Sequence, residues 1–171
     1  MIQIVIGNII ALIASLLMVY SGIIKQKKKI LYVQTVQIGL SVASNIVLGG
    51  IVGAIINALS CVRNILCYKE KLGLKEKLIL TILATALSIA FNNLGIIGIL
   101  PLISTIVYLW LMNLKDVIKF KVLIIFTMIL WLIYDICIMS YSSAVFDFLN
   151  VIANIISIYQ IKYKKEKLKN V

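Results

Sequence analysis

The 171-residue chain has no histidine, one proline, six acidic residues and only 13% charged residues in total. Each shortage excludes something. Without histidine, neither a Ser-His-Asp triad nor the common zinc sites can be assembled. Cys61, Cys67 and Cys137 are odd in number, form no CxxC and lie in apolar stretches, so they read as packing residues rather than a disulfide framework. No GxxxxGK[ST] or GxGxxG segment is present, so nucleotide drive is not encoded, and neither a metal nor an organic cofactor is expected. Tyr134-Asp135 matches the YD pair of intramembrane aspartyl proteases, but Asp147 stands in VFDFL and lacks the GxGD setting of the second aspartate. No catalytic residue is assigned, and the chain is not expected to be an enzyme.

What is abundant is apolar surface. Hydrophobic residues make up 63% of the chain, against roughly 45 to 50% in soluble domains. Apolar runs recur seven times, near 2–24, 31–48, 51–68, 78–92, 94–112, 122–139 and 144–161. Most approach the ~20 residues that cross a hydrocarbon core about 30 Å thick. The expected fold class is therefore an all-α integral membrane protein with seven transmembrane helices. The start, MIQIVIGNII, has no basic n-region and no A-x-A site, so the first span is expected to be retained.

The net charge of +11 would suit nucleic acid, but its distribution does not. All seventeen Lys and Arg fall in four clusters, 25–29, 63–77, 115–121 and 162–169. Seven spans put all four on one face, while the segments on the other face, Met1, Gly49–Gly50, Asn92–Asn93 and Ser140–Ser143, carry no basic residue. By the positive-inside rule the basic face is cytoplasmic, with the N-terminus outside and the C-terminus inside. The expected partners are the lipid bilayer, a small polar solute and, as an open alternative, further copies of the chain; nucleic acid is not among them.

Adding 90 to the residue number lays Ile9–Leu66 over Ile99–Ile156 without a gap. The polar matches within apolar runs give this overlay its weight: Ser15 with Thr105, Tyr20 with Trp110, Gln37 with Thr127, Ser44 with Tyr134, Asn45 with Asp135, Asn57 with Asp147, Ser60 with Asn150 and Asn64 with Asn154. Lys25 and Lys29 fall on Lys115 and Lys119. A repeat of this length fixes architecture before any helix is drawn. The expected arrangement is two parallel triple-helix bundles, 1–68 and 94–161, joined by a cytoplasmic loop and an inversion linker helix, 69–93, with a basic cytoplasmic tail, 162–171. An odd number of spans would insert the second bundle upside down, and the linker helix restores its direction. Parallel repeats of this kind place the site at the repeat interface.

Polar residues in the spans keep helical spacing. Asn57, Ser60, Asn64 and Cys67 share one face of the third span, and Asp147, Asn150, Asn154 and Ser157 repeat them on the seventh. The second span carries Gln34, Gln37, Ser41, Ser44 and Asn45, the sixth Thr127, Trp131, Tyr134 and Asp135. Lipid satisfies none of these groups, so the stripes face each other or water. Two readings follow: interhelical hydrogen bonds, at about 0.6 to 2 kcal/mol each, or the lining of a cavity. The first would make the protein a non-transporting scaffold or sensor, the second a small-solute transporter. Asp135 lies 14 residues from Lys121 and Asp147 lies 15 from Lys162, about 21 and 22 Å along their helices. Two carboxyls at one depth either suit a shared proton, as candidate proton-coupling groups, or simply reach the water outside. Arg63, the only arginine, reads either as snorkelling to lipid phosphate or as holding an anionic group.

The run Leu100-Pro-Leu-Ile-Ser-Thr-Ile-Val-Tyr-Leu-Trp110, with Ser60-Cys-Val-Arg-Asn64 and Asn150-Val-Ile-Ala-Asn-Ile-Ile156, resembles the bacterial inner-membrane YgjV family. That family is similar to the SWEET, SemiSWEET and PQ-loop transporters. The resemblance implies a bacterial plasma-membrane protein that passes a small solute by alternating access or facilitated diffusion. It also implies that Asn64 and Asn154 face the substrate, with Ser60 and Asn150 one turn away; Trp131 and Ser41 complete the expected site. The Pro-Gln dipeptide of sugar carriers is absent, since Gln34 follows Val33.

Overall fold

A computed structural model describes residues 1–23, 27–111 and 116–169. Lys25, Lys115 and the last two residues of the basic tail lie outside them, as does the side chain of Ser157. The described residues form seven helices: α1 (Ile2–Ile23), α2 (Lys27–Val47), α3 (Ile51–Tyr68), α4 (Leu74–Ala90), α5 (Ile96–Leu111), α6 (Val117–Cys137) and α7 (Tyr141–Lys169). By length and composition Ile2–Tyr20, Ile51–Tyr68 and Tyr141–Tyr163 can each cross a membrane, and Leu31–Val47 and Ile96–Leu111 are shorter apolar helices.

Burial is inverted relative to a soluble protein. Ile82, Ile89 and Ile96 point outward, whereas Ser44, Asn45, Ser60, Asn64, Thr127, Asp135 and Asp147 are buried. Large apolar side chains on the outside and polar ones within suit a chain whose solvent is lipid.

Two helices run differently from their apolar runs. α4 begins at Leu74 rather than near Leu78, because the Glu76 carboxylate reaches back over the basic linker to accept a 2.8 Å hydrogen bond from the Gly73 N–H. α7 continues as one helix through Lys162 to Lys169, with no break where the apolar run stops.

The helices pack as a ring in the order α1, α2, α3, α5, α6, α7 and back to α1, while α4 lies outside it against α3 and α5. α4 buries Leu80, Ala84 and Ser88 on one face, spacings of four that keep them in register on a helix. Val52, Ile56, Ala84 and Leu102 form the apolar core at this junction of α3, α4 and α5. From outside the ring α4 covers the contact between α3 and α5.

The turns after α2 and α6 share one capping motif. Gly50 N–H donates to Asn45 O at 2.8 Å and Ser140 N–H to Asp135 O at 2.8 Å; Gly49 N–H donates to Ile46 O at 3.2 Å and Met139 N–H to Ile136 O at 3.1 Å. These are the two bonds of a Schellman cap, whose penultimate residue is left-handed. Gly49 has φ 78° and Met139 has φ 59°. Methionine tolerates that region less well than glycine, at a cost of roughly 1 to 2 kcal/mol. Every one of these residues matches its counterpart at an offset of 90.

Candidate functional site

A cavity of about 290 Å³ occupies the middle of the ring. All six ring helices line it and α4 does not. α1 contributes Ser15, α2 Gln34, Gln37, Ser41 and Asn45, and α3 Asn57, Ser60 and Arg63. Across from them stand Thr105 and Tyr108 of α5, Thr127, Trp131 and Asp135 of α6, and Ser143 and Asp147 of α7. The volume sits at the lower edge of small-molecule sites, roughly 300 to 1,000 Å³.

Four of these residues form one layer with a repeat-related asymmetry. Asn45 and Asn57 come from the first half, and their counterparts Asp135 and Asp147 from the second. Asp135 and Asp147 neighbour each other on the cavity wall. Asn45 donates from Nδ2 to Ser41 O at 2.8 Å, and its buried Oδ1 has no partner.

Beyond this layer the halves are stapled together at the α2–α3 and α6–α7 turns. Asn8 of α1 donates from Nδ2 to Met139 O at 2.8 Å and accepts at Oδ1 from Ser142 N–H at 2.9 Å. Asn93, ahead of α5, donates from Nδ2 to Gly49 O at 2.9 Å. Gly49 and Met139 match at the offset of 90, and the backbone carbonyl of each accepts from one asparagine amide. Tyr134 adds a third link, its hydroxyl accepting from the Gly53 N–H at 2.9 Å. Its ring meets Trp131 edge to face, with centroids 5.7 Å apart.

A family model described as a bacterial inner membrane protein, Imp-YgjV, matches residues 5–165. The chain belongs to the Imp-YgjV family. The match takes in all seven helices, up to the start of the basic stretch of α7. No curated protein and no solved structure matches the chain significantly. Membership places this Imp-YgjV protein in the bacterial inner membrane, in keeping with its outward-facing isoleucines.

Of the residues singled out by sequence, Ser41, Ser60, Trp131, Asp135 and Asp147 line the cavity of this family member, whereas Asn64, Asn150 and Asn154 are not among its lining residues. Asn64 is buried and accepts at Oδ1 from Arg63 Nε at 3.3 Å and Nη2 at 3.2 Å. Asn150 donates from Nδ2 to Phe146 O at 3.1 Å, one turn back, and reaches the Met18 sulfur at 3.8 Å. Asn154 donates to Asn150 O at 2.9 Å and accepts from Lys121 Nζ at 3.4 Å. Asn150 and Asn154 thus bond back to their own helix, as Asn45 does on α2. Asn57, Gln34, Gln37 and Tyr108 enter the lining without having been chosen. For Asn57 the signal was present, as the first member of the third-span stripe. For Tyr108 there was none, because an aromatic residue in an apolar span carries no periodicity of its own.

Proposed function

We propose that this Imp-YgjV protein carries a small polar solute across the inner membrane, with the central cavity exposed in turn to either side. The observation that carries the reading is the cavity itself, to which polar side chains are contributed by both halves at repeat-related positions. Helix-to-helix glue needs no empty volume. A cavity at the interface of two parallel repeats is where transporters of that design hold their substrate, and rocking of one half against the other would open its ends in turn. The two-bundle reading, 1–68 and 94–161 with a linker helix between, draws support from the identical caps after α2 and α6 and from the place of α4 outside the ring. Placement of the basic clusters puts the stapled turns outside and the basic ends of the helices in the cytoplasm. On that orientation the structure is closed outward by Asn8, Asn93 and Tyr134.

Within the reading, Ser41, Ser60 and Trp131 contact the solute, while Asp135 and Asp147 hold a proton whose release accompanies one of the openings. Asn64, Asn150 and Asn154 act on the walls rather than on the solute.

The test needs no known substrate. In a protein whose Cys61, Cys67 and Cys137 are replaced by serine, Ser41→Cys and Thr105→Cys should each react with a membrane-impermeant thiol reagent from either side of the membrane. A scaffold with a closed interior leaves both unlabelled, and a residue reached from one side only removes alternating access.

A further inference from the structure

Arg63 is the only arginine of the chain, and it stands on the cavity wall. A guanidinium presents five N–H donors and no acceptor. Two of them, on Nε and Nη2, converge on Asn64 Oδ1. The Tyr108 ring covers the group at 5.1 Å from its centroid. Neither neighbour brings a negative charge. The groups that act on Arg63 electrostatically among the described residues are Tyr108, Cys67 and Cys61.

The described acidic side chains stand away from it. Asp135 and Asp147 lie near the α6–α7 turn, Glu76 caps α4, Asp116 caps α6 by accepting from Ile118 and Lys119 N–H at 2.8 and 2.9 Å, and Glu70 is exposed beyond the end of α3. Beside Arg63, the Asn64 Nδ2 is buried and has no hydrogen-bond partner. Among the described residues the guanidinium thus donates to Asn64 Oδ1, and the Asn64 amide N–H groups beside it are left without an acceptor. A charge withdrawn from bulk water is costly unless paired, and an unmatched buried donor adds to that cost. What the local chemistry lacks is an acceptor with a negative charge.

We infer that Arg63 recognises the anionic group, a carboxylate or a phosphate, of a small organic acid held in the cavity. Arginine suits either group because its planar fork donates two parallel hydrogen bonds. Asn64 acts as a positioning residue, fixing the Nε edge of the guanidinium through Oδ1. Ser60, Gln37 and Thr105, on the same lining, offer uncharged hydrogen bonds to the rest of the solute. The solute class is a small organic acid whose anionic group meets Arg63 and whose body is polar. This inference rests on the transport reading above and gives it a substrate class.

The test uses the full-length Trp110→Phe protein in phosphatidylcholine nanodiscs, where Trp131 on the cavity wall is the remaining tryptophan and reports by fluorescence. Lactate and gluconate are titrated against their uncharged counterparts, lactamide and sorbitol, with inorganic phosphate as a third anion. The expected result is a saturable response to at least one anion that its neutral counterpart lacks. Arg63→Gln weakens that response by about tenfold or more, and Arg63→Lys retains part of it. Asn64→Asp places a carboxylate beside the guanidinium, and should abolish the anion response while raising the melting temperature above the parent's. That pair of effects distinguishes a missing counter-charge from a damaged fold.

Equal binding of anions and neutral counterparts, silence towards every anion, or an unchanged anion response in Arg63→Gln overturns the inference. A response to lactamide or sorbitol alone overturns it but leaves the cavity a solute site, whereas failure of the thiol-labelling experiment removes transport whatever binds. A parallel set of nanodiscs containing phosphatidylglycerol separates the sources of the anion. If that lipid alone moves Trp131 fluorescence and blocks the soluble acids, Arg63 holds a lipid headgroup and the solute assignment is overturned.

Discussion

The Tyr134 hydroxyl accepts a hydrogen bond from the Gly53 N–H at 2.9 Å, and this contact joins the sixth helix to the first turn of the third. First-turn N–H groups have no partner within their own helix, so a side chain from the opposite half satisfies one of them. A Cβ at position 53 would lie 2.6 Å from that hydroxyl, so glycine is required for the approach. Tyr134 is fully buried. Its repeat counterpart, Ser44, is spent within its own half on Gly7 O at 2.8 Å, so only one half has this reach.

The first prediction concerns that contact. Gly53→Ala forces the tyrosine or the helix to move and should cost about 1 to 3 kcal/mol. Tyr134→Phe orphans the same N–H at a cost in a similar range, about 1 to 3 kcal/mol. Thermal unfolding in detergent checks both, and the double variant should lose less than the sum because the two changes remove one contact.

A second prediction concerns the asparagine staples. Asn8→Leu and Asn93→Leu each remove an amide that holds the opposite turn. A hydrogen bond contributes about 0.5 to 1.5 kcal/mol net, a shift of roughly 2- to 12-fold in a two-state equilibrium. Either change should therefore raise the rate at which Ser143→Cys reacts with an impermeant thiol reagent added outside. A rate equal to the parent's in both variants would mean that the staples do not control opening.

Orientation gives the third. Reporter fusions should place Asn92 outside and Lys71, Lys119 and the C-terminus in the cytoplasm. Opposite faces for positions 71 and 119 would dismantle the seven-span reading and the parallel repeat together.

The fourth concerns pH. A proton held between Asp135 and Asp147 is lost as pH rises, so proton-coupled uptake should fall on alkalinisation of the side facing the pair. Asp135→Asn restores the first-half residue, Asn45, at that level and should flatten the pH profile while keeping solute binding. Transport in the Asp135→Asn, Asp147→Asn protein with the parent's pH profile would leave a passive facilitator.

A fifth prediction separates lining from wall. Asn57→Leu should abolish solute binding, whereas Asn154→Leu should leave it within about twofold of the parent, an effect worth only about 0.4 kcal/mol. The reverse order would restore the helix-three and helix-seven asparagine pair as the site.

What the sequence determined by itself is everything that depends on position along the chain. Apolar runs of membrane length place the helices, since each helix satisfies its own backbone and needs no partner to be recognised. The offset of 90 is a one-dimensional property too, and it correctly paired the residues of the two caps, Gly49 with Met139 and Gly50 with Ser140.

Which polar residues meet in the middle was decided by tertiary structure alone. On the third helix the spacing pointed to Asn57, Ser60 and Asn64, but the cavity follows Asn57, Ser60 and Arg63. Steps of three trace a row inclined to the helix axis, whereas alternate steps of three and four run along it. Which row of α3 sees the cavity is decided by its packing against α2, α4 and α5. On the seventh helix Ser143 and Asp147, a step of four apart, reach the cavity, while Asn150 and Asn154 turn to Phe146 O, Met18 and Lys121 instead. Periodicity fixes which side chains share a face; packing against the neighbouring helices, which no single helix encodes, selects those that see the cavity.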